Sequence, residues 1–112
     1  QVREKILAFR NARDWKQYHN MKDLSMDLTI ESAELMDVFR FKNVKQVEEI
    51  TKDVKKREHI KDELADILFV LMLSCEEMNV DLTTALEEKL KKLEKKYPVE
   101  KCRGNNLKYD EY

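Results

Sequence analysis

The chain is poor in the residues that turn or cross-link a backbone: one glycine, one proline and two cysteines in 112 residues. So little turn material disfavours a many-stranded sheet, which needs tight reversals between its strands. Cys75 and Cys102 stand far apart, with neither CxxC nor Cys/His spacing. That suggests neither a zinc site nor a disulfide framework, and the preferred expectation is two reduced thiols in a cytoplasmic protein. No charge of one sign dominates, since 22 basic residues face 23 acidic ones for a net charge of -1. A global field that would attract nucleic acid or an anionic membrane is therefore absent, and any anionic ligand must be held locally. The longest apolar run, 64–73, is too short to span a bilayer and carries an acid. No signal peptide precedes the first amphipathic segment, so the expectation is a soluble, cytoplasmic protein.

What the chain has in abundance is charge (40%) and Leu, Glu and Lys at helical spacing. These features predict an all-α protein, one domain over 1–112. The first helix is expected in VREKILAFRNARDWKQYH, with Val2, Ile6, Phe9 and Ala12 on one stripe and Trp15 and Tyr18 near its end. A second follows a polar break, with Asp23 as its N-cap and Leu24, Leu28, Leu35 and Val38 on one face, ending near Phe41 or Lys42. Polar residues 43–58, with Val44, Val47, Ile50 and Val54 recurring, suit a short exposed helix or a helical lead-in to the next one. A third long helix should run from about Lys55 to Met78, and a fourth from an Asp81 N-cap to a stop at Pro98. Residues 97–112 read as an extended C-terminal arm.

In KDELADILFVLML every residue from Leu64 to Leu73 except Asp66 is apolar, which predicts a helix buried on every side. Such a helix needs more neighbours than one short chain supplies, so a homo-oligomer is expected. A carboxylate within it requires a partner, a proton or a cation. Glu63 lies three residues before Asp66, and Glu31 and Glu34 repeat that spacing in TIESAELMDV. Residues three apart share a helix face, so each pair converges and both are expected to point inward. Four carboxylates brought together would repel strongly unless protons or divalent cations intervene. An oxygen-only donor set favours Mg2+, with Mn2+ as a substitute, and Mg2+ readily bridges to phosphates. One such pair in a Glu-rich helix is ordinarily solvated surface, and Asp27 reads as a rim charge.

TIESAELMDVF followed by KDELADILFVLM resembles the paired motif of the MazG-like, all-α nucleoside triphosphate pyrophosphohydrolases. The order of DWKQYH, ESAEL, FRFK, DELADIL and KKYPVEKCRG is most similar to the dCTP pyrophosphatase-like branch. The resemblance implies a four-helix-bundle core completed by dimerisation or tetramerisation. It also implies Mg2+-dependent cleavage of a (deoxy)nucleoside triphosphate, such as dCTP or a modified dNTP, to monophosphate and pyrophosphate. Glu31, Glu34, Glu63 and Asp66 match the family's catalytic, metal-binding acids. By the same resemblance Trp15, His19 and Phe41 would lie near the nucleobase and sugar, Lys42 and Lys89 would contact phosphate, and Arg103, Lys108 and Tyr109 would close over the phosphates. Trp15 equally suits core packing, and His19 a helix C-terminal cation. Leu93 stands where several relatives carry Asn, a departure that bears on base preference.

Two other classes compete. A di-iron or di-manganese carboxylate bundle needs E-x-x-H, and neither Glu31 nor Glu63 is followed by His at that position. A non-enzymatic helical adaptor could use the acids to hold a structural cation or Arg partners. Against it, no basic residue is expected on the Glu63/Asp66 face.

Overall fold

The computed structural model describes residues 1–111. It consists of helices and connecting turns, with no strand among the described residues. Two compact units divide the chain, the first Gln1–Asn79 and the second beginning at Val80.

In the first unit α1 spans Val2–Ala12, α2 Met21–Phe39, α3 Val44–Lys52 and α4 Val54–Glu77. Helix α1 is shorter than its apolar stripe predicts. Asp14 adopts a left-handed φ of 52°, and the amide of Trp15 donates back to the Arg10 carbonyl at 3.2 Å. Short polar residues tolerate that conformation, and it stops the helix. Trp15 and Tyr18 consequently belong to a separate 3-10 turn, with Lys16–Tyr18 as its body.

Helix α2 begins earlier than expected because Asn20, not Asp23, is its cap. The Asn20 Oδ1 accepts from the Asp23 amide at 2.9 Å and its Nδ2 donates to Asp23 Oδ2 at 2.9 Å. Asp23 therefore sits inside the first turn, where its charge suits the helix dipole. At the other end α2 stops at Phe39, and Phe41 takes a left-handed φ of 64°. Asn43 and Gln46 then form a reciprocal capping box that starts α3. Asp53 caps α4 through the Lys56 amide.

Helix α4 is the hub, packing on α2, α3 and α1. Leu24 of α2, Ile50 of α3, and Val70 and Leu73 of α4 form the buried apolar core. Arg3 reaches across from α1 and donates through Nε and Nη2 to the two Glu76 oxygens, each at 2.9 Å. Burial on every side of 64–73 does not hold in the single chain: Leu64 and Leu68 are 53% and 43% exposed. Three neighbouring helices cover only part of the circumference of α4, and Leu64 and Leu68, one turn apart, lie on the uncovered part.

In the second unit α5 spans Leu82–Lys96, capped as expected by Asp81 on the Thr84 amide. Pro98 starts one further turn, α6, Val99–Cys102, so the arm is not wholly extended. The Tyr109 ring lies edge-on to Tyr97, with centroids 6.3 Å apart, and Lys96 Nζ stands 5.0 Å from its centre. Among the described residues no helix is long and apolar enough to cross a membrane.

Candidate metal centre and flanking cavities

Glu31 and Glu34 lie one turn apart on α2, and Glu63 and Asp66 one turn apart on α4. Packing of α2 on α4 brings these faces together, so that one oxygen from each of the four side chains lies within 4.8 Å of the others. The pairs do not both point wholly inward. Glu63 is buried and Glu31 half-buried, whereas Glu34 and Asp66 sit at the solvent edge. A helix face is wider than one residue, so the member nearer the interhelical seam is covered and its neighbour is not.

Burial, followed by a hydrogen bond with Glu34 and the negative charges of Glu34, Asp66 and Asp27, pushes the Glu31 carboxyl from 4.5 up to about 7. Asp27 contributes least, as a rim charge should. Glu63 is also raised, first by burial and then by the charge of Glu34, with His59 pulling the other way. Like charges in a partly dry seam disfavour ionisation, which is the physical cause in both cases. Glu31 Oε2 and Glu63 Oε2 are buried without a hydrogen-bond partner. Orphaned carboxylate oxygens facing a common space fit a hard divalent cation, which prefers oxygen donors.

A basic group does lie on the Glu63 face, contrary to expectation. His59 Nε2 stands 3.6 Å from Glu63 Oε1, one turn earlier on α4. The i, i+4 spacing from His59 to Glu63 is legible in the chain, but charge-pair patterns are usually sought among Lys and Arg.

Two cavities flank the acids. One, of about 390 Å³, is lined by Lys5, Ile6 and Phe9 of α1 with Asp66 and Phe69 of α4. Phe9 meets Phe69 edge-on at 5.8 Å and Trp15 at 5.6 Å, so Trp15 belongs to the aromatic group behind this wall. Phe9 and Phe69 were legible only as core residues, since aromatic residues at helical spacing ordinarily pack inside. The other cavity, of about 410 Å³, is lined by Glu34, Asp37, Val38, Lys42, Ile50, Lys56 and His59. Lys42 thus shares a cavity wall with Glu34.

The remaining expected contacts are placed less directly. His19 is half-buried, with Nδ1 orphaned. Phe41 is 92% exposed, its ring 5.2 Å from the Arg40 guanidinium carbon. Lys89, Arg103, Lys108 and Tyr109 all lie in the second unit, each exposed.

The MazG-like family model matches residues 27–112, a range that contains all four acids. The chain is 31% identical over 108 residues to dCTP pyrophosphatase 1 of Rattus norvegicus, covering 96% of this chain and 64% of that protein. To the Homo sapiens protein of the same name it is 28% identical over 110 residues, covering 98% and 65%. The chain therefore spans just under two-thirds of the length of these curated relatives. A crystal structure of a pyrophosphatase from Archaeoglobus fulgidus superposes with a TM-score of 0.79 at 29% identity, covering 85% of this chain and 87% of that one.

Proposed function

The chain belongs to the MazG-like family, and from that membership we propose that it is a Mg2+-dependent nucleoside triphosphate pyrophosphohydrolase. The observation that carries this reading is the set of four carboxylates converging within 4.8 Å between α2 and α4. Its substrate class is a (deoxy)nucleoside triphosphate, by likeness to the dCTP pyrophosphatases.

Glu31, Glu34, Glu63 and Asp66 would hold the divalent cation. Such an ion supplies positive charge opposite the phosphates and makes a nearby water more acidic. Without it, burial and the neighbouring acids raise the Glu31 carboxyl to about 7, so that near neutral pH it holds a proton for part of the time, and this proton leaves as a cation enters. In turnover, water adds across the α–β anhydride: one new P–O bond forms, the bridging bond breaks, and monophosphate and pyrophosphate depart. A carboxylate of this cluster is suited to take the proton that the water loses. Ile6, Phe9 and Phe69 offer an apolar, aromatic wall against which a base can stack beside Asp66. Trp15 and His19 belong to this reading as base-side residues.

The enzyme acts as a homo-oligomer, dimer or tetramer, in this reading. Leu64 with Leu68, and Met26 with Ile30, leave apolar pairs exposed on α4 and α2, and association would cover such surface.

A panel of canonical and modified dNTPs, assayed with Mg2+ for monophosphate and pyrophosphate, tests the activity. Diphosphate and orthophosphate as products would place the cleaved bond elsewhere. No Mg2+-dependent release of pyrophosphate from any of them would favour the adaptor reading. Sedimentation velocity checks the oligomer, and a monomer at micromolar concentration would remove it.

A further inference from the structure

The acid cluster has chemically different surroundings on its two sides. Towards α1, beyond Asp66, the wall is Ile6, Phe9 and Phe69 with a single Lys5. Towards α3, beyond Glu34, the wall carries Lys42, Lys56 and His59. Among the described residues neither the Lys42 nor the Lys56 ammonium is paired with a carboxylate. Asp37, in the same wall, is taken up by Arg40 at 3.1 Å, and His59 points its Nε2 to Glu63. The three basic groups come from separate places in the chain: the turn after α2, the first turn of α4 and its second. Asp53, which caps α4 through the Lys56 amide, fixes the turn that carries Lys56.

Two unpaired ammonium groups and an imidazole on one wall, in a chain with no net field, make a local site for a polyanion. Resting on the function proposed above, we infer that this cavity binds the β,γ-pyrophosphoryl end of the nucleotide and holds the pyrophosphate product. The substrate then lies across the acids with one polarity: base towards α1, scissile bridge at the carboxylates, terminal phosphates towards Lys42, Lys56 and His59, an arrangement that leaves Phe41, beside Lys42, away from the base-side place the resemblance implied. As the bridging bond breaks, its electron pair leaves with the pyrophosphate, and the ammonium groups face the charge that develops there. Lys56 and His59 thereby become substrate-contacting residues alongside Lys42.

Calorimetric titration of inorganic pyrophosphate with Mg2+ tests this without turnover, with a nucleoside monophosphate as the parallel ligand. Lys56→Met keeps the aliphatic stem and removes the charge, His59→Asn removes the imidazole, and Lys56→Arg restores a cation. Lys56→Met and His59→Asn should each weaken pyrophosphate binding by about tenfold, with Lys56→Arg close to wild type and monophosphate binding altered by less than about twofold. Both positions are exposed, so unfolding midpoints should stay unchanged. Unaltered pyrophosphate binding in the Lys56→Met/His59→Asn double variant would overturn the inference, as would equal weakening of monophosphate binding. Failure of the wild type to cleave any triphosphate, with pyrophosphate binding still dependent on Lys56, would instead sink the proposed activity and leave the anion site standing.

Discussion

Glu31 and Glu63, from different helices, each bury one carboxylate oxygen without a hydrogen-bond partner inside the same group of four acids. Unpaired, such oxygens cost free energy; facing a cation, they become ligands. The relationship between these two residues is therefore unfavourable in the empty protein and useful in the loaded one.

Glu63→Gln and Asp66→Asn should each lower Mg2+-dependent turnover by at least about a hundredfold, since even partners behind a ligand are worth 10–100-fold. In the metal-free protein at pH above about 7 Glu31→Gln should raise the melting temperature, because an amide removes a charge disfavoured first by burial and then by the neighbouring carboxylates, the causes that lift the carboxyl to about 7. Activity assays and thermal melts in EDTA check the two halves. Full turnover in both Glu34→Gln and Asp66→Asn would refute the site assignment.

The pH dependence of the metal-free protein follows from the same shift. Glu31 is raised from 4.5 to about 7 on folding, so between those values the folded state binds more protons than the unfolded one. Its stabilising contribution is complete below about 4.5 and is lost as pH rises through about 7. Glu63, shifted in the same direction, adds to the effect. Melts in EDTA should fall across this window. Because a cation binds the ionised carboxylates, saturating Mg2+ should stabilise the protein increasingly as pH rises through the same window.

Chelation should abolish pyrophosphate release, and Mg2+ or Mn2+ should restore it, as an all-oxygen donor set favours hard ions. Stopped assays with EDTA followed by metal add-back measure this. Activity insensitive to chelation would mean that the four acids work without a cation.

Arg3 and Glu76 make the two-pronged tie between α1 and α4, yet Arg3 remains more than half exposed. Arg3→Ala should therefore cost no more than about 1 kcal/mol. Leu73→Ala, one turn before Glu76 on the core face of α4 and only 3% exposed, should cost about 2–5 kcal/mol. Urea unfolding of both variants provides the comparison.

Several features were determined by the chain alone because they depend on residues three or four positions apart. The 3.6-residue period places Glu31 with Glu34, and Glu63 with Asp66, on single faces whatever surrounds them. Asp81 caps α5, and the scarcity of turn residues excludes a sheet-rich fold, for equally local reasons. The stop of α1 at Ala12, and Asn20 taking the cap from Asp23, turned on backbone conformations that several polar residues in the same short stretch could adopt. Tertiary structure alone decided that the two acidic faces meet, that Glu31 and Glu63 are the covered members, and that Leu64 and Leu68 stay uncovered. It also set Lys42, Lys56 and His59 around one cavity beside Glu34. Burial and cavity walls depend on which helix arrives from some thirty positions away, and helical periodicity carries no information over that distance.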